Sequence, residues 1–258
     1  MTGYYEASLN GSISKHGSYI YPIYEVPKDL VTVDLSEQYP KLKGMRLRGR
    51  VVNGKLIPFY ERSEIDGNTL DAKVICYVDS KIDLFFLEVQ GSGRINLNDG
   101  TTLHVGYANQ NGHPYSSIGK YLVNIGEISQ KDISLQSITK WFENNHSRVD
   151  EVLNHNKSVI FFQKKNHASS GSLGLELTPN RSIAVDTQYV KLGTMLYLKA
   201  KIDKKIIQKI VMAQDTGGAI KGEVRADMFL GYGEEAMNKA GELKADLELW
   251  KMLPKENK

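Results

Sequence analysis

From Gly3 to Leu103 the chain repeats one pattern: short runs of β-branched and aromatic residues, each cut off by turn residues. That pattern limits this stretch to sheet or barrel construction. Tyr19–Val26, Lys55–Tyr60, Ala72–Val78 and Leu84–Gln90 are strand-sized runs, and Asn53-Gly54 and Asp66-Gly67 read as hairpin turns. The middle of the chain differs. Ile118, Tyr121, Leu122 and Ile125 recur at helical spacing behind Ser116-Ser117, with Gly126 as a stop. A second helix is expected from Ser134 through Leu135, Ile138, Trp141 and Phe142, and a third from about Ser147 through Val149, Val152 and Leu153. After the Asn166–Gly174 loop, strands resume at Ile183–Val185, Met195–Ala200 and Ile206–Ala213. A helix over Glu234–Ala240 and a closing strand with Leu247, Leu249 and Trp250 follow. The fold class expected is mainly β. Its economical form is a barrel built from both ends (residues 1–75 and 175–258), with a second β-rich lobe carrying short helices (residues 76–174) inserted between them and a cleft separating the two.

The 258 residues suit one large domain or two small ones, and 41% hydrophobic with 24% charged residues is a globular composition. A net charge of +3 is too small for a protein whose main task is gripping a nucleic-acid backbone, so no nucleic-acid partner is expected. Every apolar run falls short of the ~20 residues of a membrane span. The single cysteine, Cys76, excludes an internal disulfide, and its setting in Val74-Ile75-Cys76-Tyr77-Val78 reads as an inert core thiol. The start, Met1-Thr2-Gly3-Tyr4-Tyr5-Glu6, has no signal-peptide pattern. Either a cytoplasmic location or removal of a leader fits it.

Three glycine-containing clusters stand out. Gln90-Gly91-Ser92-Gly93 reads either as a turn needing positive φ or as backbone approaching a ligand closely while Gln90 and Ser92 supply hydrogen bonds. It lacks the continuation of a phosphate-binding fingerprint. Gly106-Tyr107-Ala108-Asn109-Gln110-Asn111-Gly112-His113-Pro114-Tyr115 interleaves tyrosines with amides, the chemistry that stacks and orients a sugar, although a plain polar loop fits equally. The six histidines show no metal-ligand spacing, so neither metal nor cofactor is expected.

The densest cluster runs from Gln214-Asp215-Thr216-Gly217-Gly218 to Lys221-Gly222 and Ala226-Asp227. Its glycine-rich turn can bring Asp215 and Asp227 back towards each other, and Asp186 also ends an apolar strand. Three such aspartates with Lys221 nearby make an acid/base constellation. Asp215-Thr216-Gly217 alone also fits an aspartic-protease turn, but that chemistry needs two such turns sharing a proton and this chain has one.

Taken together in order, these residues resemble the membrane-bound lytic transglycosylase A family of bacterial peptidoglycan-cleaving enzymes over nearly the whole length. The resemblance rests on Thr2-Gly3-Tyr4-Tyr5, Tyr21-Pro22-Ile23-Tyr24, Val89-Gln90-Gly91-Ser92-Gly93, Tyr107-Ala108 and Asn111-Gly112. It continues through Tyr115, Ser117-Ile118-Gly119-Lys120, Arg181-Ser182-Ile183, Asp215–Gly222, Asp227 and Gly231-Tyr232-Gly233. The C-terminal part is similar to that family's three-aspartate (3D) domain, with Asp186, Asp215 and Asp227 as the three.

The resemblance implies a double-psi β-barrel with a glycan groove beside it. It implies a lytic transglycosylase that cuts the β-1,4 bond between N-acetylmuramic acid and N-acetylglucosamine and leaves 1,6-anhydromuramoyl ends. Asp227 is the expected general acid/base, supported by Asp215, Asp186 and Lys221, with partial burial and the Asp215 anion together raising the pKa of Asp227. Gln90, Ser92, Tyr107, Asn111 and Tyr115 are expected to bind substrate. The expected partner is the peptidoglycan glycan strand, the expected state a monomer, and the expected site of action the periplasm at the inner face of the outer membrane. Family members begin with a lipoprotein signal and a lipidated cysteine, whereas here Met1 abuts the Thr-Gly-Tyr-Tyr motif, so membrane contact is expected only through an anchor this chain lacks. A hydrolytic muramidase and an inactive peptidoglycan-binding module are the competing readings.

Overall fold

A computed structural model describes residues 1–43, 45, 47–65, 69–166, 171–202, 205–218 and 220–254. The expected Asp66-Gly67 turn and part of the expected 166–174 loop lie outside the described residues. In chain order the strands and helices begin β1 (Thr2–Ser12), β2 (Tyr21–Tyr24), β3 (Val31–Val33), β4 (Leu47–Val52), β5 (Lys55–Pro58) and β6 (Val74–Val78). Next come α1 (Lys81–Gln90), β7 (Ser92–Leu97), β8 (Thr102–Gln110), α2 (Ile118–Asn124), α3 (Leu135–Asn144), α4 (Val149–Asn154) and β9 (Ile160–Lys165). The last are β10 (Ser182–Val185), β11 (Met195–Ile202), β12 (Lys205–Asp215), β13 (Ala226–Tyr232), α5 (Gly233–Glu242) and β14 (Asp246–Lys251). The chain is mainly β, as its turn-punctuated runs require.

Two compact units divide it: Met1–Ser8 with Asn166–Lys258, and Leu9–Lys165. The first break therefore falls inside β1, not at residue 75 as expected. The physical reason is that the strands between Tyr21 and Val78 pair among themselves and with Gly11 and Ser12, so they close their own unit. One strand segment, not a third of the chain, is what the N-terminus contributes to the C-terminal unit.

In that C-terminal unit the strand order is β14-β11-β12-β10-β13-β1. Parallel pairs (β10 with β12, β1 with β13) mix with antiparallel ones (β10 with β13, β11 with β12 and β14). Ile183, Val185, Leu196, Leu198, Val211, Ala213 and Met228 alternate inward to make its core. Beyond α5 the chain returns to the first strand: Thr2 bridges Lys244, and the Ala245 N–H donates to the Met1 carbonyl at 2.9 Å.

The other unit carries β1-β7-β8-β9 in order, the pair β2 and β6, and the separate sheet β3-β4-β5. Asn53 and Gly54 both take positive φ between β4 and β5, the turn expected from the sequence. Phe85, Leu122, Trp141, Phe142 and Leu153 form its helical core. One expectation fails here: Leu84–Gln90 is helix, not strand. Ser80 caps the helix by accepting from the Asp83 N–H, Gly91 ends it in the left-handed region at φ 79°, and burial falls on Phe85, Leu87 and Glu88. A continuous apolar run carries no periodicity that separates the two states, and the caps decided it. Gly106–Gln110, for which a plain polar loop is one of two readings, is the second half of β8.

Candidate active site

The C-terminal unit brings two of the three aspartates into one lateral row. Ala184 in β10 is flanked by Asp215 of β12 on one side and Asp227 of β13 on the other, and Asp227 is itself flanked by Thr2 of β1. Laterally paired residues project to the same face of a sheet, so both carboxylates share a face. Asp186 lies just beyond the end of β10 and is buried, with 3% exposure.

The three carboxylates have different partners. Asp215 is saturated. Its Oδ1 accepts from the Ser172 N–H at 2.9 Å, the Ser172 hydroxyl at 2.7 Å and the Thr216 N–H at 2.8 Å, while Oδ2 accepts from the Tyr4 hydroxyl at 3.0 Å. Asp186 is a turn anchor, accepting from the Gly222 N–H at 2.9 Å and the Gln188 N–H at 3.1 Å. Those backbone bonds, the Gly222 one foremost, hold its carboxyl below the usual carboxylate range.

Asp227 is the exception. Its side chain is 18% exposed, and Oδ1 is buried without a hydrogen-bond donor among the described residues; Arg225 Nη2 stands 3.3 Å away, outside bonding geometry. Burial raises its pKa, with the Arg225 guanidinium pulling the other way. Of the two causes expected, burial does the raising and the Asp215 anion does not. Arg225 is held off by its own bond to the Thr2 hydroxyl at 2.8 Å.

Lys221 is exposed, and its effect on the constellation is the charge it places near Asp186. Sequence reasoning gave no role to Tyr4, Ser172 or Arg225. Tyr4 was visible inside Thr2-Gly3-Tyr4-Tyr5, but nothing in a linear pattern says that a hydroxyl on β1 meets a carboxylate at the end of β12. Burial, then the Asp215 charge and hydrogen bond, then the Asp227 charge, push the Tyr4 phenol well above its ordinary value. Ser172 reaches Asp215 because Gly171 packs flat against the chain: a Cβ on Gly171 would stand 2.3 Å from the Gln214 carbonyl oxygen.

Among the expected substrate-binding residues, Gln90, Ser92 and Tyr107 gather in the Leu9–Lys165 unit. Gln90 closes α1, Ser92 opens β7 opposite Gly106, and the Gly91 carbonyl accepts from the Tyr107 N–H at 2.7 Å. The Tyr107 side chain is exposed, as is that of Tyr115 in the segment before α2. Asn111 departs from expectation. It is 1% exposed, its amide donates to the Tyr60 carbonyl at 2.9 Å and the Lys157 carbonyl at 2.8 Å, and its oxygen accepts from the Val159 N–H at 3.0 Å. A side chain with these valences filled by backbone holds the chain together and presents nothing to a ligand. Among the described residues no group of three or more His, Cys, Asp or Glu is placed to hold a metal ion, and no helix is long and apolar enough to cross a membrane.

Comparison with known proteins gives the family. The family model for the MltA specific insert domain matches residues 1–163, and that for the 3D domain matches residues 181–253. The chain belongs to the MltA family. Membrane-bound lytic murein transglycosylase A of Escherichia coli K12 is 34% identical over 251 residues, covering 93% of this chain and 61% of that protein. The chain thus spans less than two thirds of the length of this curated relative. A crystal structure of MltA from Neisseria gonorrhoeae superposes with a TM-score of 0.88 at 34% identity, covering all of this chain and 73% of that one. The structure of E. coli MltA with bound chitohexaose superposes with a TM-score of 0.76 at 28% identity, covering 97% of this chain and 70% of the other.

Proposed function

We propose that this MltA-family chain is a lytic transglycosylase that cuts the β-1,4 bond between N-acetylmuramic acid and N-acetylglucosamine in peptidoglycan and leaves 1,6-anhydromuramoyl ends. The observation that carries the reading is the contrast between two carboxylates on one sheet face. Asp215 has four hydrogen-bond donors, whereas Asp227 is desolvated with its Oδ1 lacking one among the described residues.

Hydrolysis of a glycosidic bond generally uses two carboxylates, an acid and a nucleophile or base. With Asp215 saturated, Asp227 is the one carboxylate poised for proton transfer, and one suffices if the nucleophile is the substrate's own C6 hydroxyl. Asp227, whose pKa burial raises, gives its proton to the glycosidic oxygen. The resulting carboxylate takes the proton of the C6 hydroxyl as that oxygen bonds to the anomeric carbon. The bond from the anomeric carbon to the leaving oxygen breaks, and no water is consumed. Arg225, 3.3 Å from Oδ1, stabilises the carboxylate while it exists.

The Tyr4 hydroxyl, Ser172 and Thr216 hold Asp215, and Asp186 fixes the turn at Gly222. Gln90, Ser92, Tyr107 and Tyr115 bind the glycan, with the exposed tyrosines stacking on sugar faces. The chitohexaose bound to E. coli MltA, a chain of linked sugars, supports this part of the reading. The relatives' description as membrane-bound and murein-cleaving supports action in the periplasm.

The C-terminal unit is a double-psi β-barrel in this reading. Two features support closure. In a flat sheet β12 and β1, three strands apart, would lie about 14 Å from each other; the Tyr4–Asp215 hydrogen bond needs a tight curl. The Thr2–Lys244 bridge also joins the first strand to the segment entering β14. The test is Asp227→Asn. It should abolish turnover of purified peptidoglycan while the variant still pellets with it, and near-normal turnover would overturn the assignment.

A further inference from the structure

Along β11, Leu196, Leu198 and Ala200 are buried in the core of the C-terminal unit. The alternate residues therefore stand on the opposite face. Register places Ile210, Tyr197 and Trp250 side by side across β12, β11 and β14, a platform about 10 Å wide. The Tyr197 and Trp250 rings lie 5.7 Å apart with planes 47° to each other, and Ile210 and Trp250 are 41% and 46% exposed. Met195 continues the apolar strip on one side. On the other side comes a polar row, Gln208, Lys199 and Glu248, in which Lys199 pairs with Glu248 at 2.8 Å. The row beyond sets Lys201 opposite Asp246. The catalytic reading uses none of these residues, and contiguous exposed apolar area of this kind marks a binding surface.

We infer that this face, carrying Tyr197 and Trp250, is an accessory platform for a neutral glycan strand, separate from the aspartate row and anchoring the enzyme to polymeric substrate. The inference rests on the proposed action on peptidoglycan for its choice of polymer. The chemistry selects a sugar. Pyranose rings present an apolar C–H face that stacks on aromatic rings and a rim of hydroxyl and acetamido groups that need polar partners. The platform supplies both, one row apart. Charge selects against a membrane: Lys199 and Lys201 each stand opposite an acid in register, whereas an anionic lipid surface is recognised by an excess of cations. Charge also selects against a second copy paired along edge strand β14. In-register pairing about Glu248 would set Glu248 against itself, and pairing about Leu249 would set Glu248 against Trp250.

The test is a pelleting assay with insoluble peptidoglycan in the Asp227→Asn background, which leaves the polymer intact. Adding Trp250→Gln or Tyr197→Ala should weaken half-saturation about tenfold, the effect of removing one aromatic face from a contact. Trp250→Phe should stay within about twofold of the parent by the same arithmetic, and it separates loss of the ring from loss of folding. With Asp227 intact, Trp250→Gln should turn over short soluble glycan fragments at the parent rate. Unchanged pelleting by both Trp250→Gln and Tyr197→Ala overturns the platform. So does a loss confined to phosphatidylethanolamine–phosphatidylglycerol vesicles, which would make the face a membrane contact. If pelleting depends on Trp250 while the parent releases no anhydro ends, the activity is refuted and the platform stands.

Discussion

Replacing Asn111 by alanine distinguishes a structural amide from a ligand-binding one. The substitution removes four hydrogen bonds at a site 1% exposed and leaves the Tyr60 carbonyl and the Val159 N–H without their partner, while the Lys157 carbonyl keeps the Arg62 N–H at 3.2 Å. Each buried group so orphaned costs about 1–3 kcal/mol. The two are neighbours and do not add fully, which puts the loss at about 2–4 kcal/mol. With a urea slope of about 2–3 kcal/mol/M, the unfolding midpoint of the unit that holds Asn111 should fall by about 1 M. Trp141 is in the helical core of that unit, so its fluorescence reports the transition. An unchanged midpoint combined with weaker glycan binding would refute this reasoning and return Asn111 to the substrate-binding set.

Tyr4→Phe removes one of four donors to Asp215 and should destabilise by about 1–2 kcal/mol, with activity falling as Asp215 loosens; urea unfolding with parallel rate measurements checks it. Gly171→Ala should cost more activity than Tyr4→Phe, because its Cβ displaces the strand contact at Gln214 and with it both Ser172 bonds to Asp215; equal rates in the two variants would show that Ser172 is dispensable. For Asp227 the sign follows from its raised pKa: the protonated form is favoured by folding below the unfolded value, and that advantage is lost as pH rises through the folded one. Asp227→Asn should therefore melt above the parent at neutral pH with the gap closing in acid, and the parent's turnover should decline as rising pH removes the proton. A melting gap that widens in acid would contradict the assignment.

The sequence made the β-rich ends and the helices from α2 to α4 legible because each depends on local chemistry. Ser117 and Ser134 cap their helices, and Asn53-Gly54 folds its own hairpin. What stayed hidden depends on distant partners. Leu84–Gln90 has no periodicity to choose helix over strand, and capping by Ser80 and Gly91 settled it. Asn111 has the side chain of a sugar ligand, and only the approach of Tyr60 and Val159 from elsewhere in the chain reveals it as a tie. The roles of the aspartates were likewise unreadable from spacing. Asp215 takes its donors from Ser172, Thr216 and Tyr4, and the Asp227 Oδ1 has none among the described residues.

The central claim is that the glycan's own hydroxyl, not water, closes the reaction at Asp227. Digesting purified peptidoglycan in oxygen-18 water and weighing the released muropeptides tests it most directly. The account predicts products one water lighter than hydrolytic ones, with no oxygen-18 at the muramic-acid end. Reducing ends carrying oxygen-18 would contradict it and require a second carboxylate to activate water.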